Sequence, residues 1–512
     1  MFSIGGYIGA SKDQDSYQSV DPEFPAMTKR PATLIVLDKN KPESLQTQLT
    51  VSLKELVQAR VFAAGQPVPS SRDLARDLGI SRNTVIQAYD RLIGEGYLEP
   101  SARRGLFVSD SLADKVLGTG LSTASSAVSR FVLRHDSEKL RLPLPFLPCQ
   151  PDVRLFPLTL WNRMRTRALR GYGTHILHYQ SELTLGFPSL RQTIANYLRE
   201  SRGVQCDWHQ IAITTGSQQA LFLLAHLLLR PKSRVAMEDP GYLGARFAWQ
   251  RTGALLIPVS IDSEGMSLPP DKRFSVDLVY TTPSRQFPTG ACLSLSRRLS
   301  LIEFAARTKA WIVEDDYDSE FRYSRPPLPS LQSLDSFGRV IYIGSMSKVL
   351  FPSLRIGYVV LPASLVEEFA ALRRVLDDHG PLIDQATLAQ FIDAGAFYTH
   401  LRRSRREYGE RLQTFIESAS KLQLPLSFPY TDGGMNLTGF LDSSEHDREC
   451  SDRLKAFGME IPALSQYSLR PTRAGLVFGF TAFEQRTTQE SMKRVALAFQ
   501  HRRKGGRGEP AH

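Results

Sequence analysis

The chain has 512 residues, 42% of them hydrophobic and 22% charged, with a formal net charge of +11, the balance of an ordinary folded protein of more than one domain rather than a disordered or membrane-embedded one. Its most apolar run, Ala220 to Leu229, is much too short to cross a bilayer, and Met1 to Ala26 lack the basic start and apolar core of a secretion signal. The four cysteines, Cys149, Cys206, Cys292 and Cys450, lie far apart with neither disulfide nor metal spacing, which predicts a reduced, cytoplasmic protein without a metal centre.

Residues 1–32 are rich in Gly, Ser, Asp and Gln and read as disordered, with Met27 an alternative start. Ordered structure is expected from Thr33, with Leu34-Ile35-Val36-Leu37 as a short strand. Leu45, Leu49, Leu53, Leu56, Val57 and Val61 then recur at the three-and-four spacing of an amphipathic helix over Leu45–Ala63, ended by Gly65. A second helix over Arg72–Leu78, capped by Ser70 or Ser71, turns at Gly79 into a third, capped by Ser81 and reaching about Glu95. Helix, glycine turn, helix is the helix-turn-helix pattern. Two short strands around the basic tip Arg103-Arg104 add a wing, which completes a domain over residues 33–108.

The run Pro69-Ser70-Ser71-Arg72-Asp73-Leu74-Ala75, with Gly79-Ile80-Ser81-Arg82-Asn83-Thr84-Val85 and Ala88-Tyr89, Leu92 and Gly96-Tyr97-Leu98, resembles the DNA-binding domain of the GntR family. Ala102-Arg103-Arg104-Gly105-Leu106 replaces part of the glycine-rich wing usual there. The start of the third helix would present Arg82, Asn83 and Thr84 to base edges in the major groove of double-stranded DNA, with the cap Ser81 also among the DNA-binding residues. Arg72, Arg103 and Arg104 would meet phosphates or the minor groove.

Residues 109–141 lack sustained periodicity and lead into Pro143, Pro145 and Pro148, as a linker would. From 142 to about 500, short apolar strands alternate with helical patterns, the sign of a mainly parallel sheet covered by helices. The basic, Gly-rich tail 501–512 is expected to be disordered. Ile211-Ala212-Ile213-Thr214 is a strand that turns through Thr215-Gly216-Ser217-Gln218 into an apolar helix, so Gly216, Ser217 and Gln218 are candidates to hold a phosphate at a helix amino end. Tyr242 follows another strand end, where an aromatic ring could stack on a planar ligand. A strand at Ala310-Trp311-Ile312-Val313 ends in Glu314-Asp315-Asp316-Tyr317, and one at Val340-Ile341-Tyr342-Ile343-Gly344 ends in Ser345-Met346-Ser347-Lys348, with Arg355 beyond. A lysine for a Schiff base, an acid for a pyridinium nitrogen, and hydroxyls with an arginine for a phosphate are what pyridoxal 5'-phosphate needs.

With Thr281-Thr282-Pro283-Ser284-Arg285-Gln286-Phe287-Pro288-Thr289-Gly290 and Leu354-Arg355-Ile356-Gly357-Tyr358, these motifs resemble the fold-type I aminotransferases. Fused behind a GntR-type winged helix, the whole from Leu34 to Phe480 resembles the MocR/GabR family of bacterial transcription regulators. The fold implied is α/β: an N-terminal winged helix-turn-helix domain plus an aminotransferase-like domain. By that resemblance Lys348 carries the internal aldimine, Asp315 pairs with the ring nitrogen, Tyr317 bonds the phenolic oxygen and Tyr242 stacks on the ring. Ser345, Ser347 and Arg355 hold the phosphate, and Tyr179 reaches it from the partner subunit of a homodimer. Arg285 stands where the family usually has histidine, and Met346 where it has an aromatic residue. For an effector's carboxylate the resemblance implies an arginine near the late strand Leu476–Phe480. Arg473 is the candidate, because its planar guanidinium can bind a carboxylate with two hydrogen bonds; Arg470 and a merely solvated loop arginine are the alternatives. The run Arg402-Arg403-Ser404-Arg405-Arg406, with Tyr408 and Arg411, is expected to be one solvated basic helix face.

The function implied is a regulator in which an amino acid or amine exchanges with Lys348 on the cofactor and so changes the grip on an operator. Two other readings stay open: a working aminotransferase, and a sensor of pyridoxal 5'-phosphate itself.

Overall fold

The computed structural model describes residues 35–39, 41, 43–59, 61–101, 105–109, 143–271, 273–324, 328–442 and 445–505. The contacts divide the chain at Lys139/Leu140 into two units. The expected disordered start, the wing tip with Arg103 and Arg104, and almost all of the expected linker lie outside the described residues.

In the first unit, α1 (Leu45–Gln58), α2 (Ser71–Leu78) and α3 (Arg82–Gly94) precede an antiparallel pair, β1 (Leu98–Ser101) and β2 (Gly105–Val108). Ser44, Ser70 and Ser81 each accept a hydrogen bond from a first-turn amide and so cap these helices. Gly79 takes φ 62°, the left-handed turn between α2 and α3 that a β-carbon would strain. Leu49, Leu53, Leu74, Val85, Ala88, Leu92 and Val108 close one core. Two expectations fail here. Residues 35–38 form no strand: the backbone N–H and C=O of Asp38 are both taken, at 2.9 Å, by the Gln48 side chain, while Ile35 enters the core. The first helix stops at Gln58, not Ala63, because the Val61 amide turns back to the Leu56 carbonyl at 2.9 Å and drops Phe62 into the core.

The second unit is built on strands β3 (Ile211–Thr214), β4 (Arg234–Asp239), β5 (Leu255–Asp262), β6 (Gly265–Met266), β7 (Leu278–Thr281), β8 (Trp311–Asp316), β9 (Val340–Ser345) and β10 (Gly357–Val360). They form one 8-stranded sheet in the order β3-β10-β9-β8-β7-β4-β5-β6. The inner pairs are parallel; β10 runs against both β3 and β9, and β6 against β5. Crossover helices bury both faces, which is why these strands read as continuous apolar runs. A C-terminal subdomain carries a 3-stranded antiparallel sheet of β11 (Leu426–Ser427), β12 (Asn436–Leu441) and β13 (Gly475–Gly479) around its own core, which includes Phe146, Phe415 and Phe478.

The strand expected at Ala310–Val313 runs on to Asp316, so the acids lie in the strand and not after it. The last helix, Gln485–Gly505, continues past the expected boundary at 500. The expected basic face holds for Arg402, Arg403 and Arg406 on the helix Ala396–Lys421, but not for Arg411. Arg411 is buried, with its guanidinium 2.8 Å from Asp152. No helix among the described residues is long and apolar enough to cross a membrane.

Candidate functional site

The carboxyl ends of the parallel strands bring together residues from distant parts of the chain, as open α/β sheets do. Successive strand residues point to opposite faces, and this sorts the acids of β8. Glu314 accepts the Leu331 and Gln332 amides at 2.9 and 3.0 Å and caps a short helix. Asp316 pairs with Arg202 at 2.9 Å and takes the Tyr342 hydroxyl at 2.6 Å. Asp315 between them points the other way, accepts from the Tyr280 hydroxyl at 2.7 Å and lies within electrostatic reach of Lys348. Burial pushes its carboxyl up to about 7; Tyr280 and Lys348 pull against that, while Asp316 and Glu238 add to it.

Lys348 sits half-buried in the helical turn that follows β9, and its Nζ donates to the Cys149 carbonyl at 3.1 Å. Cys149, which the sequence singled out only for its spacing, therefore belongs to the site. Its thiol donates to Asn436 Oδ1 at 3.2 Å, and burial pushes it up to about 11. Tyr317 places its hydroxyl nearby, buried and without a hydrogen-bond partner. Tyr242 packs edge-on to Phe287, and Phe287 to both Tyr317 and Tyr467, with centroid separations of 6.0, 5.9 and 5.2 Å. Burial, then Asp315, pushes the Tyr242 phenol up to about 12.

An anion cradle lies alongside. Gly216, at φ 98°, precedes the helix Ser217–Leu228, and a β-carbon there would come within 2.7 Å of Arg355 Nη2. Glycine thus lets the guanidinium lie against the helix amino end, where Nη2 also donates to the Thr215 carbonyl at 2.9 Å. Arg355 itself is left-handed, at φ 50°. Gln218 meets the Tyr242 hydroxyl at 3.5 Å, Ser345 caps the turn that carries Lys348, and Ser347 buries its Oγ with no partner.

Two orphaned hydroxyls, a glycine-floored arginine cradle, a flanking phenol, a buried acid and a reachable amine form a donor set that suits a phosphate-bearing aromatic aldehyde. Two expected site residues lie elsewhere in this chain. Tyr179 is 92% exposed. Arg473 is exposed on the C-terminal subdomain, bonded to Ser427 Oγ at 3.0 Å and stacked on the Phe440 ring at 4.6 Å. The stretch that does border the site is Tyr467–Arg470, whose Leu469 and Arg470 amides are tied to Asp239 at 2.6 and 3.1 Å. In the first unit Arg72, Ser81, Arg82 and Asn83 are exposed, and Thr84 is partly covered as Ser81's capping partner.

Residues 180–467 match the family of class I and II aminotransferases, and residues 45–108 the bacterial regulatory proteins of the gntR family. The probable rhizopine catabolism regulatory protein MocR of Rhizobium meliloti is 36% identical over 477 residues, covering 91% of this chain and 96% of that protein. The pyridoxine biosynthesis transcriptional regulator PdxR of Corynebacterium glutamicum is 32% identical, covering 91% and 98%. Among solved structures, a kynurenine aminotransferase from Pyrococcus horikoshii matches with TM-score 0.66 at 26% identity, covering 74% of this chain and 98% of that one. The likeness to whole regulators runs through both units, and the chain belongs to the MocR/GabR family of bacterial transcription regulators.

Proposed function

We propose that the chain is a pyridoxal 5'-phosphate-dependent, DNA-binding transcription regulator that senses an amino acid or amine at Lys348. The observation that carries this is the convergence of Lys348, Asp315 and the Gly216–Arg355 cradle on one site. Bound there, the cofactor supplies an aldehyde carbon for which lysine and an incoming amine compete, and an electron-withdrawing ring.

The chain's own groups do the rest. Gly216, Ser217, Gln218, Ser345, Ser347 and Arg355 hold the phosphate, with charge-assisted hydrogen bonds from the guanidinium. Tyr242 would cover the ring, and the unpartnered Tyr317 hydroxyl would donate to the phenolic oxygen. Asp315, pushed up to about 7 by burial, would pair with the ring nitrogen, whose positive charge when protonated would favour the carboxylate. Ser81, Arg82, Asn83 and Thr84 read base edges, while Arg72, Arg103 and Arg104 contact the backbone. Two copies associate, and Tyr179 of each reaches the other's phosphate.

Sustained transamination would need a guanidinium for the acceptor's carboxylate. Arg473 bonds Ser427 and stacks on Phe440, while Arg470 lies in the stretch that borders the site, engaged there through its backbone amide. The test is a visible absorption titration of the cofactor-loaded protein with amino acids, ω-amino acids and amines, with keto product assayed in the same samples. A band shift with less than one equivalent of product per site supports a sensor, and accumulating product makes the chain an enzyme first. A response to pyridoxal 5'-phosphate alone, with no effect of any amine, would point to a cofactor sensor. Lys348→Ala should lose the amine response and keep DNA affinity within about twofold; loss of both would overturn the separation of roles.

A further inference from the structure

A change at one lysine amine moves nothing unless it alters what that amine holds. Lys348 Nζ holds the Cys149 carbonyl at 3.1 Å, and Cys149 lies on a segment that is bonded into the C-terminal subdomain. The Pro145 and Phe146 carbonyls accept from the Glu460 and Gly479 amides at 3.0 and 2.8 Å, and Gln150 accepts from Thr481 Oγ1 at 2.5 Å. Phe146 packs on Phe415 and Phe478, both at 5.8 Å.

The connection continues through side chains. The Cys149 thiol, kept protonated by its burial, donates to Asn436 Oδ1 at the head of β12. The Asn436 carbonyl accepts from Arg285 Nη2, whose Nη1 donates to Thr431 Oγ1 at 2.5 Å and whose Nε faces Asp318 at 3.6 Å. Asp318 also accepts the Met435 amide at 3.3 Å. Arg285 is nearly buried, and glycine at 434 leaves the space its side chain crosses. It lines a cleft of about 570 Å³ together with Asp318, Phe321, Thr431, Gly434 and Leu437.

We propose that Cys149, Asn436 and Arg285 are positioning residues that couple the state of the Lys348 amine to the closure of the C-terminal subdomain. This rests on the sensing function proposed above. A lysine amine bonded to an aldehyde carbon has given up two hydrogens, and an amine that displaces it returns them. Free, Lys348 pins the segment carrying Cys149; engaged, it releases that segment, and the relay passes the difference to β12. The two states are separated by a difference in contacts, as any ligand-driven shift requires.

The experiment pairs two readouts on the cofactor-loaded full chain: the absorption titration with the panel compound that shifts the band, and the affinity for an operator duplex obtained by selection, with and without that compound. Cys149→Ala keeps the carbonyl and removes the thiol donor, whereas Cys149→Ser restores a donor. Arg285→Lys keeps a charge near Asp318 and cannot serve both Thr431 and Asn436. Cys149→Ala and Arg285→Lys should each cut the effector-dependent change in DNA affinity by about threefold to tenfold, the range of one net hydrogen bond. Cys149→Ser should retain it, and the absorption midpoint of Arg285→Lys should stay within about twofold of the wild type. Wild-type coupling in Cys149→Ala, or equal loss in Cys149→Ser, overturns the relay. A flat absorption titration of the wild type overturns the sensing function and the relay together, and the absorption channel tells the two failures apart.

Discussion

Asp315 shows how little separates a structural acid from a functional one. Its neighbours Glu314 and Asp316 carry the same charge in the same strand, yet they are consumed by helix amides and by Arg202 with Tyr342. Alternation alone turns Asp315 toward Lys348. Its carboxyl is raised from 3.8 to about 7 by burial. A raised pKa favours the protonated folded form, so the stability it contributes is full below about pH 4 and is lost as pH rises through about 7. Glu314 and Asp318 are raised to about 7 for the same reason and act in the same direction. Denaturant unfolding of the cofactor-free protein should therefore show stability falling between about pH 4 and 7, with Asp315→Asn removing a part of that slope worth of order 1–3 kcal/mol. An unchanged slope would show that Asp315 is not the buried acid described.

The elements that place these residues were legible to different degrees. Helices α2 and α3 carry their own boundaries, because serine caps and a glycine turn act locally. The expected strand at Leu34–Leu37 was not legible in the same way. Its apolar pattern was real, but Gln48 competes for the backbone of Asp38, and nothing in the pattern marks a glutamine as that partner. The shortened first helix has the same cause: Phe62 is worth more in the core than on an extended helix. At this scale DNA recognition becomes testable. Arg82→Ala should cost about 1–3 kcal/mol on a selected operator and relax specificity at the bases it reads. Arg72→Ala should weaken binding across sequences and lessen its salt dependence. Equal effects on specific and random duplexes for both variants would remove Arg82 from base readout. Both are measurable by anisotropy over a salt series.

For the whole molecule, the role proposed for the exposed Tyr179 requires a second copy. Tyr179→Ala should weaken cofactor binding, and so should Lys348→Ala, whose site cannot form the Schiff base. Mixed after co-expression, the two variants should regain the cofactor absorption band, because a mixed dimer holds one site with Lys348 from one chain and Tyr179 from the other. Failure to recover the band would mean that Tyr179 acts within its own chain or not at all.

The cofactor motif was readable because its parts lie at strand ends, and strand ends are marked in sequence by the change from apolar runs to Gly, Ser, Asp and Lys. Lys348, Asp315 and Gly216 were proposed from such strand ends, and Arg355 from its place shortly beyond Lys348. Cys149, Asn436 and Arg285 had no such mark. They lie on a half-buried left-handed turn, at the head of a small-sheet strand and in a loop, far apart in the chain, and are joined by hydrogen bonds only where the two subdomains meet. The choice of carboxylate arginine meets the same difficulty, since whether Arg473 or its neighbours face the site depends on how the loop before β13 runs. Sequence by itself determined the family, the order of the domains and the cofactor-type motif, because these rest on local backbone preferences and short-range spacing. Tertiary structure decided which polar groups meet across the cleft, because hydrogen bonds between residues hundreds of positions apart leave no period or spacing to read.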